Sequence, residues 1–150
     1  MAHVADVARY ILDKRGSMSA MKLQKLVYYS QAWHLVFDGK PLFESEIEAW
    51  ANGPVVRDLY AQHRGRFTVD GSDFLGTTTP LSETEIQTID AVLDAYGDMG
   101  AHALSNLTHS ERPWLEARDG LSEGARSNAE ISLATMLEFY ELMHRENASQ

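Results

Sequence analysis

The chain has 150 residues, no cysteine, 44% hydrophobic and 23% charged residues, and a net charge of −9. That length suits a single domain burying about 70% of its unfolded surface, and the missing thiols exclude disulfides, thiolate catalysis and cysteine-bound zinc. No window approaches about 18 uninterrupted apolar residues, and the stretch up to Gly16 lacks the apolar core of a secretory signal, so a cytoplasmic, non-membrane protein is expected.

The charge is unevenly placed. Residues 1–75 carry nine Lys or Arg and nine Asp or Glu, whereas residues 76–150 carry four against thirteen. Nucleic-acid binding needs clustered cations, so the acidic half argues against it and favours a basic protein partner.

Val4, Val7, Ala8, Ile11 and Leu12 recur at helical spacing, with Gly16 as the stop. Ser19 is an N-cap for a second helix that runs to Asp38 and closes at Gly39. On it Leu23, Leu26, Val27, Trp33 and Phe37 share one face and read as core. Lys22, Lys25, Tyr29 and Gln31 fall toward the other side and read as solvent-facing, with Tyr28 between.

Leu42-Phe43 and Ile47–Ala49 predict a small hairpin around Glu44-Ser45-Glu46. Asn52-Gly53-Pro54 predicts a turn, with Pro54 opening a helix from Val55 to about His63. Gly65 to Pro80, rich in glycine and threonine, predicts a loop. Ser82 and Glu85 form a capping box before a helix ending at Gly97. A short helix from Ala101 to about Leu107, a turn of helix over Leu115–Arg118, a polar loop through Ala129 and a last helix capped by Ser132 follow. The expected fold class is mainly α, a compact bundle of five to six helices with one small β-hairpin near residues 42–49.

Chemistry is thin. The six histidines form neither H-x-x-x-H nor H-E-x-x-H, and no G-x-G-x-x-G, P-loop or G-x-S-x-G occurs. No catalytic, cofactor or metal residue is assigned. Glu46 and Glu48 share a strand face but lack a pocket that would shift a pKa. One pattern stands out: Asp90, Asp94 and Asp98 lie at i, i+4 and i+8, a spacing at which like charges repel, and Asp98 also opposes the helix dipole. A surface for a basic partner would explain that stripe.

Several motifs in order carry a resemblance. They are Lys22-Leu23, Lys25-Leu26, Tyr28, Gln31 and Leu35; Pro41-Leu42-Phe43; Ala49-Trp50 and Gly53-Pro54-Val55; and Leu107-Thr108-His109 with Pro113-Trp114. Together they resemble the Panacea-domain, SocA-like antitoxin family over about residues 4–144. The resemblance implies an antitoxin of a two-gene toxin–antitoxin module in bacteria or their phages. Such a protein neutralises a cognate protein toxin by direct binding, and one member also delivers its toxin to the ClpXP protease as an adaptor. Leu23, Leu26, Tyr28, Trp33, Trp50, Gly53, Pro54, Val55, His109, Pro113 and Trp114 are expected to build the core and its turns. Lys25 and Tyr29, the 65–80 loop and the stripe of Asp90, Asp94 and Asp98 are expected to face the toxin. Two alternatives stay open: a small enzyme using His109 with Ser110 or Glu111, and a transcriptional regulator using Lys14, Arg15, Lys22 and Lys25.

Overall fold

Every residue from Leu23 to Leu35 is buried, polar ones included. They belong to α2 (Ala20–Asp38), which the Ser19 hydroxyl caps by accepting the Lys22 N–H at 3.1 Å. A helix buried all round needs neighbours on every side. In this computed structural model α1 (Val4–Arg15), α4 (Glu83–Tyr96), α5 (Ala101–His109) and α7 (Leu133–Ala148) supply them. Residues 1–77 and 79–149 are described; Thr78, in the expected 65–80 loop, and Gln150 lie outside. One continuous apolar cluster joins α1, α2, α4 and α7, from Val4 and Ile11 through Leu26 and Leu93 to Tyr140.

The two-sided reading of the second helix is therefore corrected: Lys25, Tyr29 and Gln31 are buried, and Phe37 is the exposed one. The physical reason lies in what the polar side chains do. Gln31 accepts the Leu42 N–H at 2.7 Å and donates to the Phe43 carbonyl at 2.9 Å. Gln24 accepts the Val56 N–H at 2.9 Å and donates to the Val56 carbonyl at 3.3 Å. Ser30 donates to the carbonyl of Leu26 within the helix. The glutamines replace backbone partners for irregular chain packed against the helix, so burying them leaves no polar group unsatisfied.

The hairpin lies later than expected. β2 (Ile47–Trp50) pairs antiparallel with β3 (Gly53–Val56), and Ala51-Asn52 makes the turn. Pro54 sits opposite Ala49, whose own N–H turns away to the Ala129 carbonyl at 2.8 Å. Pro54 therefore occupies a position where no ladder donor is required, and β-branched Val55 and Val56 extend the strand instead of starting a helix. Ile131 N–H donates to the Ile47 carbonyl at 2.8 Å, so the chain at 129–131 flanks the other side of β2. Leu42-Phe43 forms no hairpin strand; Phe43 bridges Ala2 instead.

A second ribbon pairs β1 (Met18–Ser19) with β4 (Thr68–Val69) just ahead of α2. α3 (Arg57–His63) and α6 (Arg112–Arg118) bring the helices among the described residues to seven, not five to six. Both are seven residues long and end where expected; α3 starts two residues later than expected because β3 takes Val55 and Val56, and α6 starts earlier, at Arg112.

Candidate functional site

The acidic stripe is partly consumed by α1. Asp90 pairs with Lys14 at 2.9 Å and accepts the Tyr10 hydroxyl at 2.7 Å. Burial pushes the Asp90 carboxyl up, but the hydrogen bonds from Lys14 and Tyr10 prevail and hold it below its ordinary value. Asp98 pairs with Arg15 at 2.9 Å, and Arg15 also donates to the Leu93 carbonyl at 2.7 Å, placing a cation at the α4 C-terminus. Gly97 leaves room for that guanidinium, since a Cβ there would lie 2.8 Å from Arg15 Cζ. Asp94 alone of the three stays exposed without an ion pair among the described residues.

Lys25 and Tyr29 are not surface residues. Lys25 is 1% exposed, and burial, the sole cause, pushes its amine down to about 8. It ends against Gly53 and Thr108, so three of the recurrent sequence motifs meet at one point. Tyr29 belongs to a closed polar cluster one turn further along α2. Its hydroxyl donates to Glu111 Oε1 at 2.7 Å, Tyr140 donates to the same oxygen at 2.8 Å, and the Tyr28 hydroxyl lies 3.0 Å from that of Tyr140. Tyr96 stacks on Tyr29 with centroids 4.1 Å apart and accepts the Trp33 indole N–H at 3.0 Å. Burial raises the Glu111 carboxyl, outweighing the two tyrosine hydrogen bonds that lower it. Burial, then the Glu111 charge, raises the Tyr29 hydroxyl far above its ordinary value.

His109, Ser110 and Glu111 are adjacent in sequence but serve three different structural purposes. The His109 ring stacks on Trp114 at 4.1 Å, with Nδ1 3.0 Å from Glu123 Oε1. The Ser110 hydroxyl donates to the Leu107 carbonyl at 2.7 Å, and Glu111 receives the tyrosines. No nucleophile faces a base here. Trp114 donates to the Trp50 carbonyl at 2.8 Å and carries the Arg118 guanidinium 4.6 Å from its ring centroid. Pro113 at the start of α6, Gly53, Pro54, Val55, Leu23 and Leu26 are all buried, as core and turn residues should be. Trp50 is half-buried, and its indole N–H donates to Glu48 at 2.8 Å.

The 65–80 loop, which the sequence reading expects to face the toxin without singling out residues in it, carries the most exposed large apolar groups among the described residues. Phe67 is 84% and Leu75 82% exposed, in the segment that crosses α1 on its way to α4. Their only sequence signal is two large apolar side chains in a glycine-rich stretch. An open groove of about 560 Å³ lies elsewhere, lined by Glu44, Glu46, Glu48 and Asp58 with His3 and Arg57. Glu48 there accepts the Trp50 indole N–H at 2.8 Å and pairs with Arg57 at 3.1 Å. No described helix is long and apolar enough to cross a membrane.

Comparison with known proteins fits this geometry. Antitoxin SocA of Caulobacter vibrioides (strain NA1000 / CB15N) is 29% identical over 143 residues, an alignment covering 85% of this chain and 74% of that protein. No solved structure matches. The model of the family described as "Antitoxin SocA-like, Panacea domain" matches residues 23–115, from the buried face of α2 through the hairpin to the Trp50–Trp114 contact, and the chain belongs to that family.

Proposed function

We propose that this protein is the antitoxin of a toxin–antitoxin pair and neutralises a protein toxin in the cytoplasm by binding it directly, without catalysis of its own. The observation that carries the reading is the family match over residues 23–115, which takes in the motifs of the core. Two features support binding rather than chemistry. His109, Ser110 and Glu111 are each held by structural partners. The net charge of −9, with Asp94 exposed on α4, would attract a toxin with a basic surface and speed its encounter.

The test is growth of cells in which the adjacent open reading frame is induced alone and then together with this protein. Toxicity alone, rescue on co-expression, and co-purification of the pair are expected. A harmless neighbour, or toxicity that co-expression leaves untouched, would refute the reading. Rescue with loss of the toxin band, reversed when ClpXP is deleted, would add the adaptor step that the family resemblance implies.

A further inference from the structure

The segment from Arg64 to Thr77 has the form of a fixed platform, not of slack chain. Two of its apolar side chains point inward: Val69 and Phe74 are each 1% exposed. Its backbone is tied at every few residues. The Arg66 N–H donates to the His63 carbonyl at 2.9 Å, and the Phe67 carbonyl accepts the Ala20 N–H at 2.8 Å. Asp70 accepts the Ser72 N–H and Asp73 accepts the Asp70 N–H, each at 2.9 Å, a capping box at the start of the 3-10 turn Gly71–Asp73. Arg9 donates to the Phe74 carbonyl at 2.7 Å, the Leu75 N–H to Gln62 at 2.9 Å and the Thr77 N–H to Asp6 at 2.9 Å. On this held frame Phe67 and Leu75 stand out into water, more exposed than any other large apolar side chain among the described residues. Isolated surface hydrophobics are ordinary; two on one immobilised segment have the form of interface anchors.

The surrounding charges indicate what they fit. Asp13 lies 2.7 Å from where a Gly71 Cβ would be, and Asp6 lies 2.6 Å from that of Gly76. Among the described residues Asp6, Asp13 and Asp70 form no ion pair, while Lys14 pairs with Asp90, Arg15 with Asp98 and Arg66 with Asp73. Arg9 donates to a neutral backbone carbonyl and keeps its charge, and Arg64 is exposed, so three carboxylates without an ion pair face two such cations around the segment. Aromatic and aliphatic anchors with an acidic rim fit an apolar pocket on a basic protein surface.

We propose that the segment Arg64–Thr77 is the element that docks the toxin, with Phe67 and Leu75 entering an apolar pocket rimmed by basic residues. This rests on the antitoxin reading above. The experiment uses the full chain and the purified toxin that growth rescue identifies, and measures Kd, association rate and melting temperature for the wild type, Phe67→Ser/Leu75→Ser and Asp13→Asn/Asp70→Asn. The apolar double variant should melt with the wild type, bind about 30-fold more weakly or worse, and fail to rescue growth. The Asn double variant should associate more slowly, with a reduced dependence on salt. Wild-type affinity in the apolar double variant overturns the docking proposal and leaves the antitoxin reading intact, as does an effect confined to self-association of this chain or to binding of DNA. Failure of the wild type itself to bind or rescue overturns both. If the double variant melts early, the single variants Phe67→Ser and Leu75→Ser decide by the same readouts.

Discussion

Lys25 ends where a side chain on Gly53 would begin: a Cβ built on Gly53 would lie 2.5 Å from Lys25 Cε and 3.2 Å from Nζ. With φ at +118°, Gly53 holds a conformation that other residues avoid, and the absence of its side chain is what lets the amine reach this depth. Among the described residues no carboxylate pairs with the amine, and its folded-state pKa of about 8 lies below the ordinary 10.5. Between those values the unfolded chain holds the proton more tightly, so stability rises with pH from about 8 upward. The full effect would be about 3 kcal/mol. The raised hydroxyls of Tyr28 and Tyr29 act oppositely once unfolded tyrosines ionise near pH 10, which confines the window to about pH 8–9.5. Lys25→Met, similar in length and apolar, should flatten this rise and be the more stable protein at pH 7. Urea unfolding at pH 7, 8 and 9.5 checks both, and a flat wild-type profile would refute the account.

Glu111 poses the reverse problem. Its folded-state pKa is raised, so the folded protein favours the protonated acid. The associated stability is fully present below the ordinary carboxylate pKa and is lost as pH rises through the folded value. Glu111→Gln keeps an oxygen for Tyr29 and Tyr140 without the charge, and should match or exceed wild-type stability at pH 7. Glu111→Ala strands the Tyr29 hydroxyl and leaves Tyr140 only its contact with Tyr28, and should cost about 1–3 kcal/mol. The ordering Gln above Ala in urea midpoints is the check; equal loss in both would mean that the carboxylate charge itself is required.

The three aspartates of α4 should separate by function. Asp90→Asn and Asp98→Asn remove partners of Lys14 and Arg15 and should lower the melting temperature slightly. Asp94→Lys touches no pair among the described residues and should leave melting unchanged while slowing association with a basic toxin. A melting loss at Asp94 as large as at Asp90 would mean that the stripe acts as one structural unit.

Local signals carried much of this fold. Ser19, Ser82 and Ser132 each accept the N–H three residues on, as a capping serine ahead of an apolar period should. What failed was non-local. Nothing within α2 reveals that Gln24 and Gln31 serve Val56 and Phe43, so a helix buried all round read as two-sided, and Lys25 and Tyr29 were placed in solvent. Pro54 resembles a helix start until Ala49 is seen to turn its N–H toward Ala129. The aspartates of α4 look uncompensated until α1 crosses them with Lys14 and Arg15. Exposure of Phe67 and Leu75 is likewise a tertiary property, because Val69 and Phe74 in the same stretch are equally apolar and fully buried.

Arg118 offers a last test, of how the polar segment after α6 is held. It is 3% exposed, yet no carboxylate meets it among the described residues. Its guanidinium donates to the Ala49 carbonyl at 2.9 Å and to those of Ser122, Glu123 and Ala125 at 2.9, 3.2 and 2.5 Å. One planar fork thus ties the segment after α6 to β2 while lying over Trp114, an arrangement that a lysine ammonium, with three donors and no plane, cannot reproduce. Arg118→Lys should therefore cost about 1–3 kcal/mol, since the buried Ala49 carbonyl and part-buried carbonyls after α6 lose their donor. Limited proteolysis should localise the damage, with new cleavage between Asp119 and Ala129 well below the global unfolding midpoint. Uniform destabilisation without preferential cleavage there would mean that Arg118 supports the core through Trp114 and does not pin the loop.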